Sequence, residues 1–163
     1  KAPHHHYNHI SVAKTAKEIS DAGINVNIGA HGQREGLGAH WELWMFAQGG
    51  MTPLEAYKTA TINPARSLGL DKDLGSLTPG KLADIMVVDG DPLSDIRQSD
   101  NVSHVMINGR LYDAATMNEI GNYNNPREEI WWNSDKYEGF DFHQRLNSFE
   151  LPKCQCGYGT HSH

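Results

Sequence analysis

The stretch from Ile24 to His40 constrains the fold most strongly, because it joins a strand pattern to a glycine-rich loop. Apolar residues alternate with asparagines at its start, which is the period-two pattern of a half-buried β-strand. Glycines follow at positions 29, 32, 36 and 38, with histidine, arginine and glutamate among them. In α/β folds, a strand that ends in such a loop before a helix is a common place for a functional site. The stretch therefore predicts a candidate site, although an ordinary βα connection can contain the same residue types.

A helical pattern precedes this stretch. Between residues 9 and 22, apolar residues fall on one side of a helix, and Gly23 stands where a C-terminal cap belongs. The apolar residues of that side are Val12, Ala13, Ala16 and Ile19. A helix, a glycine and then a strand together predict an αβ unit.

Helical patterns also follow the stretch. Residues 39–48 are apolar on almost every side, which predicts a buried helix. Thr52 and Glu55 form a capping-box pattern around Pro53, so a helix is expected from there to about residue 61. We expect Asn63 to cap a further short helix that ends at Gly69.

The second half of the sequence has the character of antiparallel β structure. Residues 85–88 and 102–107 read as short strands, and Asn108–Gly109 is a strong two-residue hairpin signal before a returning strand at 110–112. The change of character places a boundary between residues 70 and 80. Beyond Ile120 the pattern weakens, and residues 128–132 read either as a short helix or as an apolar patch.

Composition excludes two classes of partner. A formal charge of −6 and a pI near 5.9 argue against a nucleic-acid surface, which needs a basic patch. No apolar run approaches the ~20 residues of a membrane span, so we expect a soluble protein that does not enter a membrane. Two cysteines close together near the C-terminus leave the compartment open.

Three linked stretches carry a resemblance to a known family. They are Val26 to Gly32, the pair Met51 to Ala56 and Ala60 to Ala65, and the run Leu74 to Leu93 with its motif LGSLTPGKLAD. Over residues ~10 to ~115 the sequence resembles the C-terminal part of the metal-dependent amidohydrolase superfamily. It is most similar to the imidazolonepropionase-like and prolidase-like members.

The resemblance implies an α/β architecture: a (β/α)8 TIM-like barrel with a small β-sandwich built from both chain ends. Residues 9–72 would be the last βα portion of the barrel. Residues 73–115 would be the C-terminal antiparallel strands of the sandwich, and residues 116–163 an irregular extension.

The resemblance also implies a site in the glycine loop. The family has an aspartate in Gly-Thr-Asp at the end of its last strand, where this sequence has Gly29-Ala30-His31. His31 would therefore be the catalytic proton carrier, a metal ligand, or both, since imidazole suits both tasks. Gln33, Arg34 and His40 would line the substrate site. Glu35 and Glu42 are the alternative carboxylates, and a solvated loop pair is the competing interpretation of Arg34 and Glu35.

The resemblance predicts hydrolysis of a C–N bond in a small-molecule amide, a cyclic amide or a dipeptide by water activated on a divalent metal, with zinc the expected ion. The family's other metal ligands correspond to positions before residue 1, so we expect this chain to be inactive alone. It would need the rest of the barrel, or copies of itself, as partners.

Two other functions fit the residues. A non-catalytic structural or interaction domain would keep the strands and lack the upstream ligands. A metal-binding protein could instead use the terminal Cys154, Cys156, His161 and His163, although their spacing matches no standard zinc finger.

Overall fold

The computed structural model describes residues 3, 6–32 and 34–130. The predicted substrate residue Gln33, residues 131–132 of the possible helix, and the terminal cysteine and histidine cluster lie outside these described residues. Residues 1–127 form one compact unit, and residues 128–163 form a second. In the second unit, the three described residues, 128–130, are not helical.

Four helices make up the first half of the larger unit: α1 (Asn8–Asp21), α2 (Leu37–Gln48), α3 (Pro53–Ala60) and α4 (Ile62–Ser67). Four strands follow: β1 (Ile85–Val88), β2 (Val102–Ile107), β3 (Arg110–Asp113) and β4 (Glu119–Ile120). A 3-10 helix at Ile96–Asp100 lies between β1 and β2. The fold is therefore mixed α/β, with helices first and an antiparallel sheet second. No helix within residues 6–32 and 34–130 is long and apolar enough to cross a membrane.

The ends of the helices follow local sequence signals. After α1, Gly23 has φ +83, and its N–H donates to Ser20 O while Ile24 N donates to Ile19 O. This pair of bonds is the Schellman arrangement that glycine at this position predicts. At the start of α3, Thr52 and Glu55 form the reciprocal capping box. The prediction of a cap at Asn63 is wrong, because Asn63 lies inside α4 and its amide donates to Val26 O.

The core lies between α2, α3 and the 3-10 helix. Its buried members are Leu43, Met51, Ala56 and Ile96, and Val26 and Ile28 pack against them. The predicted apolar side of α1 is only partly correct, because Ala13 is buried whereas Val12 is 63% exposed. The expectation of a buried α2 is also too strong: Leu43 is its only fully buried residue among the described side chains. Helix α2 packs against α1, α3 and the 3-10 helix, and its Glu42 accepts a hydrogen bond from Gly29.

The sheet has the order β1-β2-β3-β4, and all of its pairs are antiparallel. The Asn108–Gly109 turn has φ values of +48 and +80 and joins Ile107 to Arg110, which confirms the predicted hairpin. The two-residue strand β4 had no signal in the sequence pattern. It pairs with β3, and its Glu119 is buried and bound by Arg110.

The predicted strand at Ile24 to Ile28 is not formed. The alternation itself is present, since Val26 and Ile28 are half-buried whereas Asn25 and Asn27 are exposed. A β-strand also needs a hydrogen-bonded neighbour, and no strand lies beside these residues within the part of the chain that the structure describes.

Candidate functional site

We call residues 24–36 the site segment. Its first half is attached to α3 and α4 by bonds from distant residues. Ile28 N donates to Thr59 O at 3.0 Å, and Asn63 Nδ2 donates to Val26 O at 3.1 Å. Asn27 Nδ2 also donates to Ser67 Oγ at 3.0 Å. These bonds satisfy polar groups that a neighbouring strand or another polar partner would otherwise satisfy.

A carboxylate of α2 binds the backbone of the site segment where the glycine loop begins. The Gly29 N–H donates to Glu42 Oε2 at 2.6 Å. Gly38 N donates to Arg34 O at 2.9 Å, which turns the chain into α2. A hydrogen bond to a charged acceptor is stronger than one between neutral groups. Glu42, one of the two alternative carboxylates of the predicted site, therefore lies at the end of the strand-like residues and fixes the loop there.

The structure places His31 and Arg34 on the exposed outer part of this loop. Neither makes a side-chain hydrogen bond or ion pair with another described residue. Both are thus available to a ligand, but the structure does not gather them into a cluster. The predicted metal, catalytic and substrate roles of these two residues remain predictions.

His40 has a different setting, in the first turns of α2. Its Nδ1 lies 3.1 Å from Ser99 Oγ, in the 3-10 helix. Trp44 Nε1 donates to the same oxygen at 2.9 Å and to Ile96 O at 2.9 Å. His40 therefore joins α2 to the segment before β2, and whether it also contacts substrate stays a prediction.

Sequence reasoning missed Ser99, which is fully buried. A lone serine between Gln98 and Asp100 has no motif around it, and its partner His40 is 59 positions away. The Tyr57 hydroxyl also lies near Ser99, but without good hydrogen-bond geometry. Burial raises the pKa of Tyr57, and the interaction with Ser99 partly opposes that rise.

The metal expected from the resemblance would need several ligands close together. Within residues 6–32 and 34–130, no three His, Cys, Asp or Glu side chains come together in a way that could hold a metal ion. His31 alone is not a metal site, because zinc in proteins takes three or four protein ligands. The described residues therefore do not hold the ion by themselves.

An open apolar groove of about 770 Å³ lies between α3, α4 and β1. Leu54, Leu68 and Leu77 line it and are 54%, 73% and 82% exposed. On the sheet side the groove is bounded by Ile85, Met86 and Val88 of the edge strand β1. Contiguous apolar surface beside an edge strand is typical of an interaction surface.

Among known proteins, this chain is similar to adenine deaminases and to ochratoxinases. An adenine deaminase from Rubrobacter xylanophilus is 44% identical over 50 residues, which cover 31% of this chain and 8% of that protein. Ochratoxinase from Aspergillus niger is 36% identical over 95 residues, which cover 56% of this chain and 20% of that protein. The chain thus spans a fifth or less of the length of these curated relatives.

Solved structures of two similar enzymes also match this chain. A Xaa-Pro dipeptidase with methionine bound in its active site matches with a TM-score of 0.58 and 30% identity, over 63% of this chain and 26% of that chain. A prolidase complexed with N-methylphosphonate-L-proline matches with a TM-score of 0.54 and 27% identity, over 62% of this chain and 26% of that chain.

The model of the amidohydrolase family matches residues 5–112. The match includes all four helices, the site segment and the first two strands, and it reaches into the third. It covers more than half of the sequence, and this chain therefore belongs to the amidohydrolase family.

Proposed function

We propose that this chain is the C-terminal part of an amidohydrolase that hydrolyses a C–N bond in a small molecule. The observation that carries the proposal is the family match over residues 5–112, which includes the loop fixed by Glu42. Adenine deaminase and Xaa-Pro dipeptidase, two of the similar proteins, carry names that refer to cleavage of C–N bonds. An amide, a cyclic amide or a dipeptide is therefore the proposed substrate class.

The proposed architecture is the last βα portion of a (β/α)8 barrel at residues 9–72, followed by sandwich strands at 73–115 and an extension at 116–163. The half-buried Val26 and Ile28 pack against the core cluster that contains Leu43 of α2 and Ala56 of α3, and this supports the barrel assignment because the outer side of a barrel strand packs against the surrounding helices. A neighbouring strand would convert residues 24–28 into regular β structure. The groove beside β1 supports a sandwich in which further strands cover the exposed leucines.

In the proposed site, His31 exchanges the proton between the attacking water and the leaving nitrogen, because an imidazole titrates near neutral pH. Arg34 binds a substrate carboxylate through its planar guanidinium. Gln33 and His40 complete the substrate contacts. Zinc would require ligands in addition to His31, and no step here depends on it.

A second candidate is a non-catalytic interaction domain, and the exposed groove is the observation that favours it. In that case the groove would bind a partner, and the site segment would do no chemistry. The two candidates make different predictions about turnover and about metal content.

The test measures zinc content, mass in solution and turnover, for this chain and for any longer natural polypeptide that contains it. Turnover is followed as ammonia release from adenine and as proline release from Xaa-Pro dipeptides. Turnover by the longer polypeptide that is lost on His31→Ala supports the proposal. The interaction domain is supported, and the proposal contradicted, by a different result. In that case the mass in solution shows a stable complex, and neither this chain nor the longer polypeptide holds zinc or shows turnover.

A further inference from the structure

The contact between Ser99 and His40 is a buried polar junction that the proposed chemistry does not use. Ser99 has no exposed surface, and its hydroxyl lies 3.1 Å from His40 Nδ1 and 2.9 Å from Trp44 Nε1. Because the Ser99 hydroxyl is fully buried, its hydrogen bonds are expected to come from protein groups.

The position of each proton follows from the chemistry of the three groups. The indole N–H of Trp44 can only donate, so Ser99 Oγ accepts from it. Independently of this bond, Ser99 has a proton of its own, which a buried hydroxyl donates to an acceptor. Among the described residues, the acceptor in hydrogen-bond geometry is His40 Nδ1, because the Tyr57 hydroxyl near Ser99 lacks that geometry. His40 Nδ1 therefore carries the lone pair, and its Nε2 carries the proton.

We propose that Ser99 is a positioning residue that holds His40 as the neutral Nε2–H tautomer, so that His40 donates a hydrogen bond to a carbonyl or carboxylate oxygen of the substrate. The substrate part of this inference rests on the proposed function, whereas the tautomer rests on the junction alone.

This assignment separates His40 from His31. A neutral histidine binds a metal or accepts a proton through a lone pair. In His40 that lone pair is taken by Ser99, and the other nitrogen is already protonated. His40 is thus a donor that fixes a substrate oxygen, and the metal or proton-transfer role remains with the exposed His31.

The first experiment determines the tautomer by long-range ¹H–¹⁵N correlation spectroscopy on histidine-labelled chain, at about pH 8, where an ordinary histidine is neutral. His40 is assigned from the spectrum of His40→Gln. We expect the Nε2–H pattern in the wild type and a mixture of tautomers in Ser99→Ala. A wild-type Nδ1–H pattern, or a wild-type pattern retained in Ser99→Ala, overturns the role of Ser99.

Ser99→Ala leaves the part-buried indole N–H of Trp44 with one acceptor fewer, so a folding control is needed. Trp44→Phe removes the same Trp44–Ser99 bond but keeps the His40–Ser99 contact. We expect Trp44→Phe to keep the Nε2–H tautomer. Loss of the tautomer in both variants, with intact thermal unfolding in both, would assign it to general packing and contradict the specific role of Ser99.

The second experiment compares His40→Gln with His40→Asn, using N-acetyl-L-proline as the probe. The amide nitrogen of glutamine can take the place of Nε2, whereas that of asparagine corresponds to Nδ1. We expect His40→Gln to bind the probe within a few-fold of the wild type and His40→Asn to bind about tenfold more weakly, the loss expected for one hydrogen bond.

The outcomes separate the two proposals. Equal affinity in both variants overturns the donor role of His40 and leaves the proposed substrate class intact. No binding by the wild type contradicts the substrate class, and with it the donor role, whatever the spectroscopic result for Ser99.

Discussion

Strands β1 to β3 and the site segment all carry strand patterns in the sequence, yet only the sheet forms regular β structure. Each strand of the sheet pairs with the next strand along the chain, through turns such as Asn108–Gly109. The site segment is instead held by Thr59, Asn63 and Glu42, which come later in the chain and lie on helices or at their ends. A strand pattern therefore gives regular β structure where its partner is another strand, and gives only an apolar surface where its partners lie on helices.

The two regions also differ in what their carboxylates do. Glu119 is 3% exposed and accepts from Arg110 Nε at 2.7 Å and from Asn125 Nδ2 at 2.8 Å. Glu42 is half-buried and accepts from one backbone N–H of the site segment. The first carboxylate stabilises the fold, whereas the second fixes a loop that remains open to solvent.

The largest effect is expected in the sheet. Arg110→Ala would leave Glu119 buried without its cation, so we expect the largest fall in Tm of the series, measured by circular dichroism. The Arg110 side chain is 55% exposed, but the Glu119 carboxylate is buried, and a buried carboxylate that loses its cation is costly. A Tm close to that of the wild type would show that Asn125 alone is enough for the carboxylate.

The pH dependence of the same pair sharpens this test. Hydrogen bonds from Arg110 and Asn125 lower the pKa of Glu119 to about 2, from its usual 4.5. A lowered folded-state pKa stabilises the fold above the unfolded-state pKa, and this stabilisation is lost as pH falls from about 4.5 through about 2. We expect the Tm of the wild type to fall across this window, and Glu119→Gln to remove this part of the fall.

The second prediction compares the loss of stability caused by a glycine-to-alanine substitution at two positions. At Gly49 an added Cβ would stand 2.4 Å from the Ala13 carbonyl carbon, so Gly49→Ala must push α1 away from α2. We expect a loss of about 1–3 kcal/mol, the usual range for overpacking. At Gly29, in the site segment, nothing lies within 4 Å of such a Cβ, and Gly29→Ala should cost less than about 0.5 kcal/mol. Urea unfolding measures both, and equal losses would contradict the distinction between packed helices and open loop.

The sequence predicted those elements whose causes are local. The capping box of Thr52 and Glu55, the cap at Gly23 and the hairpin at Asn108 each depend on residues a few positions apart, and all three are confirmed. Strand β4 was missed, because a two-residue strand that contains a glutamate has no apolar period. Its stability comes from the contact of Glu119 with Arg110.

The candidate site was predictable only in part. The glycine loop and its exposed His31 and Arg34 were visible as residue types in one stretch. The attachment of His40 to Ser99 was not, because it joins two parts of the chain that no motif connects. Side-chain contacts over such separations depend on the packing of whole elements, and composition or spacing does not record them.

The third effect is local to the site segment. Glu42→Ala removes the acceptor of the Gly29 N–H, and we expect faster hydrogen exchange at that amide with a loss of about 1 kcal/mol, since the bond is partly exposed. Glu42→Gln keeps an acceptor oxygen and should retain part of the protection. The matched control is Glu35→Ala, an exposed carboxylate of the same segment, for which no change at Gly29 is expected. Unchanged exchange in Glu42→Ala would show that the loop does not depend on this bond.

The smallest effect on stability is expected where the proposed effect on function is greatest. His31 is exposed and makes no hydrogen bond with another described residue, so His31→Ala should change the free energy of unfolding by less than about 0.5 kcal/mol. Under the proposed function, the same substitution abolishes turnover in the active polypeptide, because the proton-transfer group is lost. His9→Ala is the control: His9 contacts Gln48 on the helical surface outside the site segment, and its loss should leave turnover intact. A large loss of stability in His31→Ala would mean that the loop histidine supports the fold. Full activity in that variant would mean that another residue transfers the proton. Glu42 would then be the next candidate, because its carboxylate accepts from Gly29 N–H at the end of the strand-like residues.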